Sequence, residues 1–333
     1  MTRFAILDQS ATSQGTSHQA TLQQTVEMAQ HAERLGYARY WLAEHHNSPA
    51  NVGTAPEILC ATISAKTDHI RVGSAGVLLQ HYSPLKVAEV FRVLSALAPG
   101  RIDLGIGRSP GGNPATVEAL NRGARVKEHA DAFRELLGWI GHSDDDPGQG
   151  GVNAFPFGVD GPEPWGLGSS LSGAMLAAEL GTPFCFNYSH GTNFHLAKSA
   201  LEAYRENFRP STRCPRPVTS LSIWVLAAET AQEADYLFAP RAYWRVQLDR
   251  GKRGAMVPPD VALSERFTPQ EQARVDEMRG YSIIGAADDV ADRLRNIVTQ
   301  FDVNEIVLAT WTYEAKDRLH SYDLLAQRLI SAS

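Results

Sequence analysis

Residues 70–112 read IRVGSAGVLLQHYSPLKVAEVFRVLSALAPGRIDLGIGRSPGG, and this stretch decides the fold class. It opens with a β-branched apolar run carrying small residues in its middle, the pattern of a buried strand. Behind Pro84, the residues Val87, Val90, Phe91, Leu94 and Leu97 recur at helical spacing, which predicts an amphipathic helix. Pro99-Gly100 stops that helix, and Ile102, Leu104 and Ile106 open a second short buried strand. Strand, helix and strand within about forty residues make one βαβ unit with parallel strands. At the far strand ends, Ser74-Ala75-Gly76 has little side-chain bulk, and Gly105-Ile106-Gly107-Arg108 puts a guanidinium just beyond the strand. Small backbone beside one fixed cation is what a flat, anionic cofactor needs.

Working outward, the same rhythm recurs. Strands are predicted at 4–7, 37–43, 165–168, 182–188, 218–228 and 305–310, besides the two of the central unit. Helices are predicted at 21–35, 56–66, 126–140, 174–180, 194–207, 230–237, 288–301 and 318–329. Residues 141–162 read as an irregular loop, and 239–280, rich in Arg, Pro and Gly, breaks the pattern as an insertion. Eight strands, most followed by a helix, predict an α/β fold: a (β/α)8 TIM barrel in a single domain over residues 1–333. A doubly wound sheet is the competitor, but the turn after the first strand, Asp8-Gln9-Ser10-Ala11-Thr12, lacks the glycines of a dinucleotide fingerprint.

The composition of the 333 residues, 43% hydrophobic and 20% charged, is that of a globular protein with a large core. A net charge of −6 gives no bulk attraction to nucleic acid or anionic membrane. No run of about 18 apolar residues predicts a membrane span. Three scattered cysteines, Cys60, Cys185 and Cys214, without a CxxC pair, read as buried thiols in a reducing cytoplasm.

In a barrel, ligand-handling groups gather at the C-terminal ends of the strands. Asp8, Ser10, Glu44 to Asn47, Ser74 to Gly76, Arg108, and Ser169 to Gly173 all fall there. His45 and His46 are neighbours on an extended chain and face opposite sides, so they are not set to chelate one ion; no HExxH or spaced Cys/His set adds to them, and no metal site is expected. One histidine acting on a proton fits better, with structural packing as the plain alternative. Arg108 reads either as a cofactor cation or as a surface ion pair. Ser170, Ser172 and Gly173 open a helix whose free N–H groups suit a phosphate, or one of the serines is an ordinary N-cap.

These stretches together resemble the bacterial-luciferase-like flavin monooxygenases. The matching blocks are 41–46 (WLAEHH), 72–79 (VGSAGVLL), 83–89 (SPLKVAE), 99–108 (PGRIDLGIGR), 170–181 (SLSGAMLAAELG), 306–310 (IVLAT) and 317–326 (DRLHSYDLLA), in the family's order. The resemblance implies a homodimeric barrel holding reduced FMN, or in a sister branch the deazaflavin F420. It implies catalytic roles for His45, Glu44 and Arg108, a non-proline cis peptide at Ala75-Gly76 against the ring, and Ser170, Ser172 and Gly173 at the phosphate, with Lys127 or Arg125 as a second cation. A cysteine of the light-emitting subunit is replaced here by Gly107, which puts light emission in doubt.

The implied reaction oxygenates a small apolar or aromatic substrate through a flavin C4a-peroxide, with reduced flavin from a separate reductase, since the chain shows no nicotinamide fingerprint. An F420-dependent hydride-transfer enzyme and a non-catalytic flavin-binding subunit are the alternatives. The substrate rim is expected from 113–122, 141–162 and 239–280, with Trp165, Trp244, Tyr243 and Phe155 nearby.

Overall fold

A computed structural model describes residues 2–121, 127–141, 151–188 and 194–330. The chain runs β1 (Arg3–Asp8), α1 (His18–Arg34), β2 (Arg39–Leu42), α2 (Pro56–Ser64), β3 (Arg71–Leu78), α3 (Pro84–Leu97), β4 (Ile102–Gly107), α4 (Pro114–Leu120), α5 (His129–Gly141) and β5 (Glu163–Gly168). It continues α6 (Leu171–Leu180), β6 (Phe184–Asn187), α7 (Phe194–Asn207), β7 (Thr219–Ala228), α8 (Ala231–Asp249), α9 (Pro259–Ser264), α10 (Pro269–Gly280), β8 (Ile283–Ala286), α11 (Ala287–Phe301), β9 (Glu305–Ala309) and α12 (Ala315–Leu329). Strands β1 to β7 and β9 pair in parallel and close on themselves, β6 on β7 and β9 on β1, forming the eight-stranded barrel that the sequence predicts.

Two expectations need correction. A ninth strand, β8, pairs with the outer part of β7 at Val225–Ala228; four residues ending in Gly-Ala gave no readable alternation. The 239–280 insertion, for which the sequence predicts no element, is largely helical. Helix α8 runs through Pro240 to Asp249, and α9 and α10 follow. Proline inside a helix removes one backbone bond, which is why the sequence pattern points to a stop. Here Leu237, Phe238 and Ala242 are buried against Leu226, Met278 and Ile284, and this packing holds the helix across the break. Helix α4, capped by Asn113 and begun by Pro114, was likewise unforeseen.

Barrel strands alternate faces, so every second residue points inward. Ala5, Trp41, Trp165, Cys185 and Val307 fill the interior, while Ile6, Tyr40, Leu42, Leu104 and Ile106 pack outward beneath the helices. At the N-terminal end the inward residues are charged. Arg39, 1% exposed, meets Asp103 at 2.7 Å and Glu305 at 3.1 Å, and its guanidinium lies 4.7 Å from the centre of the Trp165 ring. Arg71 reaches Glu163 at 3.0 Å and also Asp103. Burial alone would lower the Arg39 pKa; Asp103, Glu305 and Glu163 outweigh it and raise it. This network closes the barrel floor. Outside the barrel, Asp8 accepts from Tyr40 and Arg318 and pins α12 to the wall. The three cysteines are free and buried, and among the described residues no helix is long and apolar enough to cross a membrane.

Candidate functional site

Strands β2, β3, β4 and β5 are consecutive neighbours in the barrel, so their C-terminal ends stand in a row. That row carries Glu44-His45, Ala75-Gly76, Arg108 and Ser170–Gly173. Neighbouring strands are about 4.8 Å apart, so the four stations span roughly 15 Å of rim. The residues quoted from separate parts of the sequence are therefore brought together.

The Ala75-Gly76 peptide is cis, where the β3–β4 register shifts between Ser74 and Val77. Both residues are half-exposed in a strand whose neighbours are buried. The idea that Gly76 and Gly105 clear room for a ligand is corrected. A Cβ on Gly76 would lie 2.7 Å from the Gly105 carbonyl oxygen, and one on Gly105 would lie 2.4 Å from that of Ser74. These glycines let two strands approach. Only Gly107 is open, its nearest neighbour being Leu78 at 3.7 Å.

Glu44, 5% exposed, is turned into the protein. Its carboxylate accepts from the Leu78 N–H at 3.0 Å, the Tyr82 hydroxyl at 2.6 Å and His46 Nε2 at 2.7 Å. A carboxylate only accepts, so His46 Nε2 carries the proton. Burial, and then the bond to Glu44, raise the Tyr82 pKa, so the phenol stays a donor. The backbone N–H of His46 donates to the Gly111 carbonyl at 2.8 Å, tying the loop after β2 to the loop after β4. No strand continues through 43–46, and so His45 and His46 border the same cavity rather than opposite faces.

That cavity, about 590 Å³, lies over the barrel mouth between these loops and the insertion. Trp224 of β7 and Trp311, two residues past β9, meet edge to face at 5.6 Å, and Trp244 of α8 meets Trp311 at 4.8 Å. Arg241, 6% exposed, stacks 3.6 Å from the Trp224 ring centre and donates to Ser282 Oγ at 3.1 Å. Burial pushes its pKa down to about 9, helped by Arg245 and opposed by Tyr281, and it stays cationic at neutral pH. Arg245 and Arg253 also border the cavity. No aspartate or glutamate borders it among the described residues.

At the other end of the row Ser170 caps α6, accepting from the Gly173 N–H at 3.2 Å, and lies 3.1 Å from the Ser172 hydroxyl. The cap reading is therefore met, and the other N–H groups of this first turn have no partner within the helix. Arg108 is exposed and forms no ion pair among the described residues. Burial and then its charge lower the pKa of His129 on α5, which favours the neutral imidazole there and shows that the two side chains lie near each other. Lys127 is committed to Glu135 of α5, and Arg125 lies outside the described residues.

The rim is only partly as foreseen. Asn113 and the insertion border the cavity, but Trp165 is buried in the barrel interior 5.1 Å from Trp41, and Phe155 packs on Phe157 at 4.6 Å. Residues 122 and 142–150 of the expected rim lie outside the described residues. Arg241, Trp224 and Trp311 were missed. A signal existed: Arg241, Trp244, Arg245 and Leu248 stand at i, i+3, i+4 and i+7, one helical face hidden by Pro240.

The sequence profile described as luciferase-like monooxygenase matches residues 2–303. A luciferase-like monooxygenase of Escherichia coli (strain K12) is 36% identical over 96% of this chain and 95% of its own. An N-acetyl-S-alkylcysteine monooxygenase of Bacillus subtilis (strain 168) is 36% identical over 100% of this chain and 99% of its own. The crystal structure of apo-MsnO8 superposes with a TM-score of 0.90 at 35% identity, covering 98% of each chain. More distant structures of the same fold include the oxygenating constituent of a 3,6-diketocamphane monooxygenase from Pseudomonas putida in complex with FMN (TM-score 0.72, 19% identity, 99% of each chain). They also include an F420-dependent secondary alcohol dehydrogenase (TM-score 0.70, 14% identity, 100% of this chain and 99% of its own). The barrel, the row of stations on its rim and these matches lead to one conclusion: the chain belongs to the luciferase-like monooxygenase family.

Proposed function

We propose that this chain is the oxygenase of an FMN-dependent two-component monooxygenase, acting on a small organic substrate held among the tryptophans. The observation that carries the reading is the cis peptide Ala75-Gly76 in β3, with His45 and Arg108 just past the ends of the flanking strands β2 and β4 and His45 bordering the tryptophan-walled cavity. The open side of Gly107, the guanidinium of Arg108, which pairs with no acid among the described residues, and the N–H groups that open α6 fit a flat ring with an anionic tail. Bound FMN in its reduced form supplies the electrons that activate oxygen.

The chain's own groups then have separate tasks. Ala75-Gly76 supports one face of the ring. Arg108 balances its negative charge, while Ser170, Ser172 and the first turn of α6 hold the phosphate. His45 holds or moves a proton at the reacting oxygen. Glu44 is a positioning residue, fixing His46, Tyr82 and the turn at Leu78. Trp224, Trp244 and Trp311 exclude water. A separate reductase supplies the reduced flavin; the description of the FMN-bound neighbour as an oxygenating constituent supports this. A homodimer belongs to the same reading, and exposed Ile58 of α2 with Val93 and Leu97 of α3 offer it an apolar face.

The test is to supply reduced FMN, labelled oxygen gas and a library of aldehydes, ketones, thioethers and aromatics. The expected result is a product carrying one labelled atom, with His45→Ala diverting oxygen to hydrogen peroxide. Tight binding of F420 and none of FMN would overturn the proposal, as would normal coupling in His45→Ala.

A further inference from the structure

We infer that the substrate carries a carboxylate, and that Arg241 receives it. The inference rests on the proposed reading in one respect, that the tryptophan-walled cavity is where the substrate lies.

Arg241 is a buried cation on the cavity wall. Its guanidinium is neutralised by no carboxylate among the described residues; its partners are the Ser282 hydroxyl, Tyr281 and the face of Trp224. Stacking on an aromatic face offsets only part of the cost of taking a charge out of water. The barrel floor shows the usual solution in this same chain: Arg39 is as deeply buried and has Asp103 and Glu305 in contact. At the cavity the solution is left open.

The surroundings agree. The whole chain has 37 acidic residues against 31 Lys and Arg, yet the described cavity border holds Arg241, Arg245 and Arg253 and no acid. That local excess attracts anions into the cavity. The charges are not equivalent. Arg245 is paired with Asp249 at 2.7 Å, and Arg253 is exposed, its NH1 bonded to the Asn47 carbonyl at 3.2 Å. Arg241 is thus the deep, uncompensated one. One buried guanidinium matches one negative charge, and its planar fork matches the two oxygens of a carboxylate. A phosphate dianion would leave charge unbalanced there. Trp224, Trp244 and Trp311 take the apolar body, and His45 borders the same cavity.

The experiment measures binding to the flavin-free chain by calorimetry, with 4-phenylbutyrate, its primary amide, 3-phenylpropyl phosphate and a series of shorter aryl and alkyl carboxylates. The wild type is expected to prefer 4-phenylbutyrate over its amide by about tenfold or more, the loss expected when a charged hydrogen-bonding partner is removed. In Arg241→Met the two should bind alike, with amide affinity retained; Arg241→Lys should recover part of the preference. Retained amide binding shows that Arg241→Met is folded. Equal binding of acid and amide by the wild type overturns the inference. So does absence of carboxylate binding across the series, a preference that survives in Arg241→Met, or tighter binding of the phosphate.

Neither FMN nor oxygen is needed. A chain that binds the acids through Arg241 but never oxygenates keeps the anion site and loses the proposed function. A chain that oxygenates its substrates but binds acid and amide alike in the wild type keeps the function and loses the anion site.

Discussion

The two ends of the barrel bury the same side chain in opposite ways. At the floor, Arg39 lies against Trp41 and Trp165 and is surrounded by Asp103, Glu305 and Glu163. At the mouth, Arg241 lies against Trp224 and Phe238 with no acid beside it among the described residues. Burial acts on both, but the floor acids raise the pKa of Arg39 while that of Arg241 is lowered. The difference separates stability from function. A charge neutralised within the fold holds strands together, and a charge left uncompensated is available to a ligand.

The largest expected effect breaks the floor. Asp103→Ala leaves Arg39, Arg71 and the Trp41 indole N–H without their shared acceptor, and unfolding in urea should show a loss of about 3–5 kcal/mol. A near-normal midpoint would remove the contrast between the two ends. Next comes Glu44→Ala, which strands the Leu78 N–H and the Tyr82 hydroxyl and should cost about 2–3 kcal/mol, with coupling of oxygen to product falling as the turn and His46 loosen. Glu44→Gln, which keeps an acceptor, should recover much of the stability.

Arg241→Met sharpens the comparison, because its sign is reversed. Replacing an uncompensated buried charge with an apolar side chain of similar length should leave the chain as stable or more stable, by up to about 2 kcal/mol. A loss as large as that of Asp103→Ala would mean that Arg241 serves the fold. Ser170→Ala should cost about 1 kcal/mol through its cap to Gly173. Smallest of all, Lys127→Ala removes a surface pair with Glu135 and should change stability by no more than about 0.5 kcal/mol.

The sequence made the barrel legible because its eight strands are apolar runs separated by helices of clear period, and the barrel needs little else. The rim stations were legible for the same reason: Glu44 and Arg108 fall just past readable strands and Ala75 within one. The roles of their small neighbours were less so, because whether Gly105 faces a ligand or the backbone of Ser74 depends on strand separation, which one sequence does not encode visibly. The inward charges of the floor were hidden inside runs such as 37–43, where one Arg among aromatics reads as an edge rather than an interior. The cavity wall was hidden by Pro240, whose local signal for a helix stop is overridden by packing against β7 and β8.

The central claim, that β2 to β5 present one continuous seat for a flavin, is tested most directly by anaerobic titration of reduced FMN into the wild type and Arg108→Ala. The account predicts saturable binding of one FMN per chain, weakened about tenfold or more in Arg108→Ala by loss of a charge-assisted contact. Absence of FMN binding, or identical affinity in the two proteins, would contradict it.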